Sequence, residues 1–364
     1  MAFVFNSDLL IGEADLATAR KAFPNVFYAL DNPELRRTFL EHDQRANKAK
    51  SRSRKWGVTA VMLATFALML AASSDLYQSF DRSGIRAIAI LGAVAGITSV
   101  FIGSFGVMYK DRKLRWLMDR LATERLRQFH FQHFAAHPVS ILKGAEDKAA
   151  ARAYLAKRER DFETFKASVM ARLEDEFHAI TGSDDPGKGL FFDIGGELPE
   201  KNALNAGEYF MAYETLRIQR QIDYCNLLLS ENRSVWKHAP VRQLRVFSAV
   251  SLLCLVAMLA LDALAFGGAI VDIAWTNAPL LGVAVMWLAF LALCVRTLEE
   301  GFQPGTEIER MRQYRLSLNR SFARFKRAEA DPQERFEAMM DVENAAFEEM
   351  LPFLKTNYEA RFVM

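Results

Sequence analysis

Apolar and polar positions in this chain separate into long blocks rather than alternating. Four apolar blocks stand out: Gly57 to Ser74 (GVTAVMLATFALMLAASS), Ile85 to Tyr109, Val246 to Ala265 and Ala278 to Val295. Each runs for roughly 18–25 residues with almost no charge, the length a helix rising about 1.5 Å per residue needs to cross a hydrocarbon core about 30 Å thick. Inside lipid every backbone N–H and C=O must be paired within the segment, so each block is predicted to be a helix. Their order, two close pairs separated by a long polar stretch, predicts an all-α integral membrane protein that crosses a bilayer four times as two hairpins.

The polar remainder also reads as helical. From Ala145 to Ile180 apolar residues recur at spacings of three and four, among them Tyr154, Phe162, Phe165, Val169 and Leu173, which predicts one long amphipathic helix. A run of breakers follows, from Thr181 through Gly182, Pro186, Gly187, Gly189, Gly195, Gly196 and Pro199. Further helices are predicted from Asn205 to Val235, after Gly305 to Ala330, and from Pro332, capped by Asp331, to Met350, with Pro352 interrupting before a short last helix. The chain thus divides into an N-terminal cytoplasmic segment (1–56), a first hairpin (57–109), a cytoplasmic region (110–245) with an irregular loop (181–204), a second hairpin (246–295) and C-terminal cytoplasmic helices (296–364). Each half repeats the same layout, which points to an internal duplication.

Charge orients the spans. Lys48, Lys50, Arg52, Arg54 and Lys55 precede the first, and Lys110, Arg112, Lys113 and Arg115 follow the second. Arg233, Lys237, Arg242 and Arg245 precede the third, and Arg296 follows the fourth. The loops inside the pairs are poor in cations: Arg82 and Arg86 are balanced by Asp75 and Asp81, and the second loop has none. Both loops are therefore expected outside, with both termini cytoplasmic, in a multi-pass protein of the cell inner membrane. The first residues lack the basic start and apolar run of a cleavable signal, so the first span is expected to serve as targeting signal.

Overall composition adds little. Half the residues are hydrophobic (51%), which is ordinary, and a net charge of +2 is uninformative about nucleic acid, which is not an expected partner. Of three cysteines, Cys254 and Cys294 lie in spans and Cys225 in the cytoplasmic middle, so no disulfide is expected.

Candidate chemistry is sparse. Gly182 to Gly189 (GSDDPGKG) nearly fits a phosphate-binding loop, but Gly189 stands where Ser or Thr would hold magnesium, and Asp184 and Asp185 would repel phosphate. A solvated turn is the better reading. His130, His133 and His137, spaced three and four apart, form a weak metal candidate. No acidic or Cys ligand is in register, His137 precedes Pro138, and Phe129, Phe131 and Phe134 suggest a helix end near the membrane surface. No nucleophile, dyad or carboxylate pair stands out, so no catalytic residue, cofactor or enzymatic activity is expected.

The second span carries the sharpest pattern. Ala89, Gly92, Gly96, Ser99, Gly103 and Gly106 recur at spacings of three and four and line one face with small residues. Such a face lets helix backbones approach closely, within one hairpin, between copies of the chain, or as the wall of a pore. Asp262 is an ionisable group inside the third span, a candidate functional intramembrane acid by default, although its place near the outer end favours a residue that reaches the interface. Trp56, Trp236 and Trp275 read as interfacial anchors, and Trp287, mid-span, as a packing residue.

After the second span the sequence KDRKLRWLMDRLATERLRQFHFQHFAAHP holds a charged turn, Trp116, Arg120 and an A-T-E-x-L-R core with Thr123, Glu124 and Arg127. With the basic helix ahead of the first span, the stretch from Leu35 to His137 resembles the SLATT family of two-helix bacterial membrane proteins. The second half resembles it in layout only. The resemblance implies a membrane effector of bacterial antiphage conflict that opens a pore or disrupts the membrane. It also implies homo-oligomers and a cytoplasmic trigger, either a sensor protein or a nucleotide second messenger. A membrane-anchored scaffold without conductance is the alternative.

Overall fold

The structure is a computed structural model and describes residues 6–79, 82–107, 110–182, 189–192, 204–231, 239–271 and 279–360. The 183–188 part of the glycine-rich loop, Trp236, Trp275, the 193–203 stretch and the 272–278 connection lie outside the described residues. Every regular element among the described residues is helical. In chain order the α-helices are α1 (Glu13–Ala22), α2 (Phe27–Leu30), α3 (Pro33–Ala72), α4 (Arg82–Gly106), α5 (Lys110–Ala136), α6 (Pro138–Glu146) and α7 (Lys148–Ser168). They continue with α8 (Leu173–Gly182), α9 (Ala206–Tyr213), α10 (Arg220–Leu229), α11 (Pro240–Val271), α12 (Pro279–Phe302), α13 (Pro304–Arg327) and α14 (Pro332–Glu359).

These helices fall into two compact units. One, the helical body, is drawn from Met1–Asn47, Leu114–Ser230 and Ile308–Ala360. The other, the apolar unit, is drawn from Lys48–Lys113 and Glu231–Glu307. Helix α3 runs without a break through Asn47 and Lys48.

In the apolar unit, α3, α4, α11 and α12 are long and apolar enough to cross a membrane, with mean hydropathy of 1.6 to 2.4 in their most apolar stretches. No more than 17% of any of those stretches is buried within the chain. Ile90, Ile97, Val100, Leu253 and Phe266 are each more than 60% exposed, a surface that water would penalise at about 25 cal/mol per Å². The helices are compatible with a multi-pass membrane protein. Helix α11 has 32 residues, about 48 Å at ~1.5 Å per residue, so it outruns a core of about 30 Å.

In the helical body a conventional core is built from the polar stretches, including Leu35 and Phe39 of α3, Leu126 of α5, Tyr154 and Phe162 of α7, Tyr209 and Tyr213 of α9, and Met339 of α14. Phe129, Phe131 and Phe134 are at most 1% exposed in this core, which corrects their assignment to a membrane surface. Three other expectations also change. The helix expected from Ala145 to Ile180 is three: the Asp147 carboxylate accepts from the N–H groups of Ala149 and Ala150 and starts α7 afresh. A 3-10 turn at Met170–Arg172 then separates α7 from α8, whose Leu173, Phe177 and Ile180 are buried. The helix expected from Asn205 to Val235 is interrupted by a π-helical segment, Glu214–Gln219, between α9 and α10, and α10 ends at Leu229. Finally, α14 continues through Pro352 to Glu359. Phe353, edge-on to Trp116 at 5.9 Å and under the Arg310 guanidinium at 4.7 Å, and the fully buried Leu354 hold the turn after the proline, offsetting its missing hydrogen bond.

Candidate functional site

The small-residue face of α4 lies against α3. A Cβ built on Gly92 would meet Leu70 and Ala67, on Gly96 Ala67, on Gly103 Ala60, and on Gly106 Trp56. The α3 partners fall in number as those of α4 rise, so the two helices run antiparallel. Ser99 anchors the pair by donating from Oγ to the Ala60 carbonyl at 2.7 Å, a hydrogen bond that satisfies its hydroxyl among apolar side chains. Ala89 is exposed. From Gly92 to Gly106, the face that the sequence offered as packing surface or pore wall thus lies against the first span.

A second set of contacts joins α3 to α12. The Trp287 indole N–H lies 3.0 Å from Ser73 Oγ and 3.1 Å from the Met69 carbonyl, and Cys294 Sγ lies 4.0 Å from Met62 Sδ. Phe247 of α11 and Phe302 of α12 stack at 6.0 Å. Asp262 sits exposed on α11, nine residues before its end at Val271. The Ser73–Trp287 pair went unnoticed in the sequence because its members are more than 200 residues apart.

In the helical body the post-span motif forms a charge network. Arg127 donates from Nη1 to Glu124 (2.8 Å) and from Nη2 to Asn6 (2.7 Å), and pairs through Nε with Asp8 (2.9 Å). Arg120 pairs with Glu124 (3.1 Å) and with Asp43 of α3 (3.6 Å), while Thr123 bonds back to the Arg120 carbonyl at 2.7 Å. Burial raises the Glu124 carboxyl, but Arg127 and Arg120 outweigh it and hold the group below the usual carboxylate range. Trp116 is 2% exposed. These residues tie α5 to α3 and to the turn around Ser7.

Deeper in the body, Arg217 of the π-helical segment forms a two-pronged pair with Glu343 of α14, Nε to Oε1 and Nη2 to Oε2, both 2.8 Å. Tyr213 donates to Glu343 Oε1 at 2.8 Å, and the guanidinium lies 4.9 Å over the Phe131 ring. Arg217 is 1% exposed and Glu343 0%, so the charges are desolvated and survive by mutual satisfaction.

The three histidines part company. His130 is sunk in the core, where burial and the cations Arg158, Arg36 and Arg217 lower its pKa to about 3. His133 and His137 stack at 4.3 Å, and α7 brings Asp161 to them. His133 Nε2 is 3.1 Å from Asp161 Oδ2 and its Nδ1 is 3.3 Å from the Tyr154 hydroxyl, while His137 Nδ1 donates to the His133 carbonyl at 2.9 Å. Burial, most of all, lowers the pKa of both imidazoles. Burial raises Asp161, but Lys157 and His133 outweigh it and leave a carboxylate. The sequence missed Asp161 because the acidic ligand lies on the next long helix and not in register on α5.

Against known proteins the chain stands apart: no family model, no curated protein and no solved structure matches it.

Proposed function

We propose that the chain is an oligomeric effector of the inner membrane, both termini cytoplasmic. In this reading a signal received by the helical body repacks the spans, opens a conductive path and depolarises the cell. The trigger is a cytoplasmic sensor protein or a nucleotide second messenger, and the setting is antiphage defence, in keeping with the resemblance of Leu35 to His137 to the SLATT family. The observation that carries this reading is α3, which holds the core residues Leu35 and Phe39 and the first span in one unbroken helix, so a displacement in the body has a continuous path into the lipid.

A second reading, a membrane-anchored scaffold without conductance, draws support from α4, whose small face from Gly92 to Gly106 is packed on α3. The two part at the outward face of α4, where Ile97 and Phe101 are 71% and 64% exposed. An assembly of copies would bury such a face, whereas an anchor would leave it in lipid. The experiment is membrane potential and survival on induced expression of the native chain beside an Ile97→Ala, Phe101→Ala variant matched for membrane level. Depolarisation and growth arrest by the native chain, lost in the variant, supports the effector. No depolarisation by either, even with the genomic neighbours present and under phage challenge, assigns the scaffold.

A further inference from the structure

We propose that His133, His137 and Asp161 form a binding site for a zinc-class divalent cation at the junction of α5, α6 and α7. Their ligand atoms lie within 4.8 Å of one another. A tetrahedral zinc ion with bonds of about 2.0–2.1 Å sets its ligands about 3.3 Å apart. His133 Nε2 and Asp161 Oδ2, at 3.1 Å, already meet that spacing. His137 lies within the same 4.8 Å, and ion binding requires it to move closer.

The surroundings orient the ligands as a metal site requires. Metal-bound imidazoles hold one nitrogen on the ion and donate the other N–H to a fixed acceptor, which sets the tautomer. His137 uses Nδ1 on the His133 carbonyl and so presents the lone pair of Nε2. His133 Nε2 now donates to the Asp161 carboxylate, and an ion would take the place of that proton, with Nδ1–H then turned to the Tyr154 hydroxyl. Phe192 stands edge-on to both rings, at 5.3 and 5.8 Å, and thins the water around them. Three protein ligands leave one tetrahedral position for water or another small ligand.

Lys157 opposes the ion. Its Nζ is 2.7 Å from Asp161 Oδ2, but its side chain is 44% exposed and can turn to solvent or to the other carboxylate oxygen. The site therefore predicts that removing this cation tightens metal binding, an effect that a purely structural His–Asp hydrogen bond would not produce. A bound ion would fasten α7 to the end of α5, beyond anything the proposed effector function requires.

The test is cobalt(II) titration of the tag-free full chain in detergent micelles, read by visible absorption and by metal-to-protein ratio, with zinc(II) as competitor. His137→Gln and Asp161→Asn alter only partly buried side chains, and far-ultraviolet circular dichroism checks that both variants fold. Expected are one cobalt per chain with the strong visible bands of a tetrahedral site, displacement by zinc, loss of the bands in both variants, tighter binding in Lys157→Gln, and binding about 10–100-fold weaker in Tyr154→Phe. Cobalt uptake by the native chain no greater than by the folded variants, or bands that persist in both variants, overturns the site.

Discussion

At the scale of residues, the Arg217–Glu343 pair is an ion pair almost fully buried in the helical body. Replacing one partner leaves the other charge desolvated and alone, so Glu343→Gln should lower unfolding stability by about 3–5 kcal/mol in chemical denaturation. An Arg217→Met, Glu343→Leu double variant should recover most of that loss, because burial of both charges is what the pair must offset. His130 makes a prediction about pH. Its pKa in the fold is about 3, held down by burial and then by the neighbouring arginines, against about 6.5 for an exposed histidine. Between those values only the unfolded chain binds the proton, so stability falls as pH drops below about 6.5, and His130→Gln should remove about one proton from that slope. Thermal melting across pH 4 to 7 reads both. A slope unchanged in His130→Gln would mean that other groups dominate acid unfolding. None of this was legible in the sequence, where Arg217 and Glu343 are two charges among many and His130 is one of three histidines at helical spacing.

At the scale of elements, spacing and caps were informative where a single helix decides its own ends. Asp331 was expected to cap α14, and its carboxylate accepts from the N–H groups of Gln333 (3.0 Å) and Glu334 (3.4 Å). Asp331→Ala should cost about 1 kcal/mol. Packing between elements was less legible. The small stripe of α4 was visible, yet only the structure shows that Gly106 is its tight point. A Cβ there would collide with the Cβ and Cγ of Trp56, close to its own backbone, whereas at Gly103 it would meet Ala60 at 3.9 Å. Gly106→Ala should therefore destabilise the α3–α4 pair by about 1–3 kcal/mol while Gly103→Ala stays near native, as measured by thermal stability in detergent. Pro352 went the other way. The sequence predicts a break, but the helix continues, with Leu354 buried and the partly buried Phe353 packed edge-on to Trp116.

At the scale of the whole molecule, the chain keeps some apolar residues in a core and leaves others exposed. The helical body buries Phe129, Phe131 and Phe134 in a core, while α4 and α11 leave Ile97, Leu253 and Phe266 open. The second group forms a surface compatible with a multi-pass membrane protein. The expected outcome is a protein that stays with membranes through high-pH carbonate washing and is released only by detergent. Release by carbonate would contradict the membrane reading. On that reading, single cysteines introduced at exposed residues of the helical body should be labelled only after the inner membrane is opened.

The sequence by itself determined the helical class, the four apolar stretches and some helix starts, such as those of α12 and α14, since these depend on composition and on spacing within about one or two turns of a helix. Tertiary structure alone decided which partners meet across long separations. It brought Asp161 to His133 and His137, Glu343 to Arg217, Trp287 to Ser73, and the small face of α4 to α3. It also decided that the aromatic run of α5 belongs to a protein core. The physical reason is that helix periodicity shows which face is apolar but not what covers it. Whether an apolar face meets lipid or protein depends on the helices folded around it.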